Sequence, residues 1–182
     1  MTGVGFRAMQ FTNTALAALM MTVMTGNGQA ATTATVTLTI NVTFTQPSCE
    51  ITVPPSYNLG PLTPGTKTHA PLKITWKCEG GTPVKTALLA DIVRGGKTSD
   101  DEKVILKTDD NTDTGATLSL REKESGDLIK LTGPAAGNYF CSDANAIAGM
   151  EHTCTLTPET NVSQNGPFGL ASATLRFEVG YP

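Results

Sequence analysis

The chain has little of what an active site is built from. Its 182 residues include two histidines, one tryptophan and four cysteines; aromatic residues make up 5% and charged residues 16%. Two histidines cannot furnish a metal-rich enzyme site, and no C-x-x-C occurs to seed a zinc site. No G-x-S-x-G elbow, HExxH, P-loop or G-x-G-x-x-G is present either. A Ser/His/Asp triad through His69 or His152 stays formally open, because triads are recognised by geometry. His69 lies in a Pro/Gly/Thr-rich connection and His152 stands two residues before Cys154, so both read more simply as surface positions. No catalytic residue, metal ligand or cofactor is assigned, and an enzyme is not expected. An excess of one charge is also missing. Thirteen Lys+Arg face 16 Asp+Glu, a net charge of −3 with a pI near 5.3, which leaves no electrostatic footprint for nucleic acid or an anionic membrane. Helical periodicity is nowhere sustained, which argues against a helical bundle.

What is present is a strand and turn composition: 30 threonines, 18 glycines and 11 prolines in a chain of one-domain length. Residues 1–30 read as a signal peptide. A short n-region carries Arg7, an apolar run follows around Leu16, Leu19, Met20, Met21, Val23 and Met24, and Gly28 and Ala30 stand at −3 and −1 of a cleavage site. That run is too short to span a membrane. The expected exported chain starts at Ala31, with Gly28 or Ala31 as alternative last residues of the signal peptide. All four cysteines, Cys49, Cys78, Cys141 and Cys154, lie beyond it, and an even count in an exported chain points to disulfides. Of the three pairings, Cys49 with Cys78 and Cys141 with Cys154 are preferred because each joins segments able to lie side by side. The other two stay open. The sequons at Asn41 and Asn161 matter only in a eukaryotic secretory pathway.

Residues 35–45 alternate without an error: Val36, Leu38, Ile40, Val42 and Phe44 on one face, Thr or Asn at every position of the other. This is a strand about eleven residues long, punctuated by Pro47 before Cys49. Short strands are expected over 49–53, 71–78, 84–93, 103–108, 116–122, 127–132 and 169–181, separated by turn signals, with 109–115 as an acidic loop. Such spacing points to an antiparallel β-sandwich. The last segment places Ala171, Ala173, Leu175, Phe177, Val179 and Tyr181 on one face. Asp109, Asn111 and Asp113 have calcium-loop spacing, but the sixth position is Thr114 and the twelfth Leu120, so no calcium loop is assigned. Asp100, Asp101 and Glu102 read as a solvated turn.

Gly169 is the fourteenth residue from the C-terminus and Tyr181 the penultimate one, with alternating apolar residues between. An alternating N-terminal arm precedes a Pro47-Ser48-Cys49 step, with a second cysteine 29 residues on. In these features the sequence resembles subunits of the chaperone/usher fimbriae of Gram-negative bacteria, the pilins. Many pilin arms carry a glycine midway where this one has Val42, and the pair Cys141 and Cys154 is an addition, read as a staple on the loop before the last strand.

The resemblance implies an all-β fold, an incomplete immunoglobulin-like antiparallel β-sandwich lacking its final strand, with an N-terminal donor-strand extension. It implies a signal peptide over 1–30, a donor-strand extension over 31–46 and a pilin domain over 47–182. Val36, Leu38, Ile40, Val42 and Phe44 would be donor-strand residues, and Gly169 to Tyr181 would line the acceptor groove. A periplasmic chaperone would fill that groove first and a neighbouring subunit's arm would replace it, a case of β-augmentation. Burying five such side chains at ~1.5–3 kcal/mol each is worth roughly 8–15 kcal/mol gross, an upper bound that rivals the stability of a typical domain. The expected partners are neighbouring fimbrial subunits, the periplasmic chaperone, the outer-membrane usher and a host receptor; the expected destination is a fimbrium on the cell surface. The length leaves no room for a separate receptor-binding domain, so a shaft or adaptor subunit is expected. The alternative is a secreted immunoglobulin-like adhesive or ligand-binding module that does not polymerise.

Overall fold

The computed structural model describes residues 39–41, 47–81, 83–143, 149–167 and 169–182. The chain falls into two units, residues 1–43 and 44–182, and every strand below belongs to the second. Of the first unit, residues 39–41 are described; they form no strand, and Ile40 is exposed. The expected signal peptide and the arm positions Val36, Leu38, Val42 and Phe44 lie outside the described residues.

Among the described residues ten strands follow in order: β1 (Cys49–Thr52), β2 (Gly65–Thr68), β3 (Leu72–Cys78), β4 (Thr86–Arg94), β5 (Gly96–Lys97), β6 (Lys103–Lys107), β7 (Asp113–Glu122), β8 (Phe140–Asp143), β9 (Glu151–Val162) and β10 (Thr174–Gly180). They build a seven-stranded sheet, β1-β3-β9-β7-β6-β5 with β2 also on β9, and a three-stranded sheet, β10-β4-β8. All pairings are antiparallel. Period-2 alternation sends Ile74, Trp76, Val104, Leu120 and Leu156 from the large sheet and Leu88, Ala90 and Phe140 from the small one into a single buried core. Trp76 Nε1–H donates to Thr86 Oγ1 at 3.0 Å inside that core, satisfying both polar groups and joining the sheets. Gly95 has φ +143, and a Cβ there would stand 2.2 Å from Val104 Cγ2. Glycine therefore lets β4 turn into β5 and pass from one sheet to the other.

Several elements differ from the sequence expectation. Residues 127–132 make two isolated bridges, Leu128 to Arg121 and Thr132 to Asp91, and no strand. Ile129 N–H bonds Leu120 O and Leu131 N–H bonds Asp101 O, so the backbone crosses between partners while its apolar side chains are buried. The acidic loop is shorter than 109–115: β7 begins at Asp113, which pairs with Lys107 at 3.3 Å, and Thr114 donates to Leu106 O at 2.7 Å. The last strand begins at Thr174, not 169, because Ser172 exchanges two backbone bonds with Lys107 of the opposite sheet.

The twelve-residue β9 is not among the strands the sequence suggests, and Pro158 within it would ordinarily argue against a central strand. Its surroundings remove the objection. Leu120 gives its carbonyl to Ile129, away from β9, so the Leu120–Pro158 pair is a non-hydrogen-bonded one. Pro158 O accepts from His69 N at 2.9 Å, at the break between β2 and β3. The missing N–H therefore faces that break and leaves no ladder bond unmade.

Candidate functional site

The C-terminal strand is where the sandwich is incomplete. β10 pairs with β4, Leu175 opposite Ile92 and Phe177 opposite Ala90, and its other edge pairs with no strand among the described residues. β1, at the edge of the large sheet, pairs among the described residues with β3 alone and neighbours β10. At the opposite edge of the large sheet the Gly95–Gly96 bend carries β4 into β5, and Ser172, just ahead of β10, bridges Lys107 of β6. The open seam thus lies between β1 and β10.

Side chains along the seam have the alternation the sequence predicts. Ala171, Ala173 and Leu175 are half-buried while Ser172, Thr174 and Arg176 are exposed. Ala173, just ahead of β10, and Leu175, Phe177 and Val179 within it pack on the core, and Cys49, Ile51 and Val53 do so from the β1 side. None of these seven is fully covered, whereas Ile74, Leu88 and Leu156 behind them have no exposure. Phe177 meets Phe140 edge to face at 6.4 Å. On the outward face Arg176 lies 3.0 Å from both Asp91 and Glu178; these exposed pairs contribute little to stability. Ile51 and Val53 were missed as seam residues, although the same period-2 spacing with Cys49 marks them.

Tyr181 does more than extend the apolar face. Its hydroxyl donates to Pro47 O and sits 3.1 Å from Cys49 Sγ. Cys49 is bonded to Cys78 across β1 and β3. Gly169 has φ +146 with open space around it, so its role is backbone conformation and not close packing. Gly180, which no sequence motif singles out, is buried; a Cβ there would stand 2.6 Å from Tyr139 Cε1 and 2.8 Å from Leu89 Cδ1.

The second disulfide, Cys141–Cys154, joins β8 to β9 and hence one sheet to the other. It is a staple between strands, not on a loop. Beside it opens a cleft of about 530 Å³ lined among others by Trp76, Glu124, Asp143, Met150, Glu151 and His152. His152 is not the surface residue expected. Its side chain is one-tenth exposed, stacks on Trp76 at 5.4 Å and bonds Asp143 Oδ2 through Nδ1 at 2.8 Å. His69 is half-buried with Nε2 at 2.8 Å from Thr160 Oγ1; burial and then the Lys67 charge hold its pKa below the ordinary histidine value. Among the described residues no cluster of His, Cys, Asp or Glu is arranged to hold a metal ion.

No family model and no curated protein matches the chain. Among solved structures it is similar to a chaperone-usher pilus, with a TM-score of 0.54 and 17% identity over 88% of this chain and 99% of that one. It is also similar to PapA, the rod subunit of the P pilus, with a TM-score of 0.54 and 16% identity over 74% of this chain and 99% of that one. At these identities the likeness is one of fold. The fold is the incomplete immunoglobulin-like sandwich of pilus subunits.

Proposed function

We propose that this chain is a structural subunit of a chaperone/usher-assembled fimbria, polymerising by donor-strand exchange and contributing to cell adhesion. The observation that carries the reading is the open seam: β10 has a continuous apolar inner face that is half-covered, beside an edge with no partner strand among the described residues. An edge of this kind offers unpaired main-chain groups and exposed apolar side chains together, which is what an added strand satisfies. Residues 1–30 direct export, 31–46 form the arm, and 47–182 form the domain that accepts a strand. Val36, Leu38, Ile40, Val42 and Phe44 are the donated side chains; Ala171, Ala173, Leu175, Phe177, Val179 and Tyr181 receive a neighbour's. The periplasmic chaperone holds the seam during export, the usher passes the subunit outward, and the fimbrium ends on the cell surface, where a host receptor is a further partner.

Co-expression of the exported chain, with and without residues 31–46, alongside its periplasmic chaperone tests this. A polymer ladder that requires the arm is the expected result. A full-length chain that stays monomeric, stable and independent of chaperone would sink the assembly reading in favour of a secreted binding module.

A further inference from the structure

We propose that the Tyr181 hydroxyl ties the root of the N-terminal arm to the open edge of β10, so that filling this edge orders the place from which the chain's own arm departs. The coupling rests on the strand-donation reading; the tie itself rests on geometry. Tyr181 directly follows Gly180, the last residue of β10, which is held opposite Ala87 of β4. Its hydroxyl donates to the carbonyl of Pro47, two residues ahead of β1. A part-buried phenol needs such a partner, and proline, lacking N–H, offers the backbone only that carbonyl.

The residues beyond Pro47 are held from another side. Ser48 O accepts from Glu79 N at 2.8 Å, and Cys49 is bonded to Cys78, so both are fixed by β3 and its continuation. Pro47 is fixed by the C-terminal end of the chain. The two groups lie 134 residues apart in sequence, at the boundary between arm and domain on one side and at the end of the accepting strand on the other. With no strand on the other edge of β10 among the described residues, the β4 ladder holds the backbone as far as Gly180, and Tyr181 beyond it is held through its hydroxyl, which also stands 3.1 Å from Cys49 Sγ. A strand on the free edge pairs β10 from both sides, narrows the swing of Tyr181, and thereby holds Pro47 more tightly. Linkage makes this reciprocal: an ordered root favours a filled edge. Tyr181 is then a positioning residue, acting through Pro47 and touching both halves of the polymerisation chemistry without being donated itself.

Amide exchange on the exported chain, wild type against Tyr181→Phe, tests this with a synthetic peptide of residues 35–45 as the probe. Without peptide, residues 48–51 should exchange roughly fivefold faster in Y181F, the change expected for one lost hydrogen bond, with β9 unchanged. With peptide, wild type should slow at both 174–180 and 48–51, and Y181F at 174–180 alone. Equal slowing at 48–51 in both proteins overturns the proposal, as does a wild-type root that ignores a filled β10. If β10 ignores the peptide in wild type, the strand-donation reading fails and the coupling with it, while the difference between the free proteins still reports on the tie. Should Y181F not accumulate, Tyr181→Met removes the same hydroxyl and is read identically.

Discussion

Gly180 has no room for a side chain because two residues distant in sequence close over it, Tyr139 at 2.6 Å and Leu89 at 2.8 Å from where a Cβ would stand. Tyr139 is 39% exposed and can swing aside; Leu89 is 4% exposed and cannot. Gly180→Ala is therefore expected to cost about 1–3 kcal/mol, the usual penalty of overpacking, read from the urea midpoint. A second residue sets a pH response. The Thr98 hydroxyl, then Lys103, then the Glu102 N–H hold the Asp100 carboxyl down from 3.8 to about 2. Because the folded value lies below the unfolded one, the stability this turn draws from Asp100 is fully present above pH 3.8 and is lost as pH falls through about 2. An NMR titration should find the Asp100 midpoint near 2, and Thr98→Val should return it toward 3.8. Neither effect is visible from the residue alone: Gly180 lies in a plain Val-Gly-Tyr run, and the acidic turn was legible as a turn but not as a hydrogen-bonded one.

At the scale of elements, β8 and β9 are held as a unit by Cys141–Cys154 and by the His152–Asp143 bond, both of which cross from one sheet to the other. Replacing both cysteines by alanine releases a short loop in the unfolded chain and should cost roughly 3 kcal/mol on the chain-entropy model. Urea unfolding checks the size, and amide exchange should locate the loosening in β8 before β10. The pairing of these cysteines was among the sequence expectations, but the strand that carries Cys154 was not. β9 hides from local rules because its inward positions are Cys154, Leu156, Pro158 and Thr160, a face neither continuously apolar nor free of proline. It becomes a strand because β3 and β2 line one side and β7 the other. The opposite error at 127–132 has the same root: buried Ile129 and Leu131 mimic a strand, yet their backbone partners belong to two different segments.

For the whole molecule, the alternation of Ala171 to Tyr181 and of Val36 to Phe44 is a local property, since successive side chains of an extended backbone point to opposite faces whatever surrounds them. The all-β class, the expectation of export and the inward face of β10 follow from that kind of local chemistry, and the sequence alone determined them; it favoured the two cysteine pairs but left the pairing open, and the structure joins Cys49 to Cys78 and Cys141 to Cys154. Tertiary structure alone decided which strand edge is left unpaired, that Ile51 and Val53 share the seam with Phe177, that His152 lies against Trp76, and that Tyr181 reaches Pro47. Each of these depends on residues brought together from distant segments. No propensity, periodicity or spacing encodes such a meeting: it is settled only when the sheets close on one core and leave, among the described residues, one apolar seam without a covering strand.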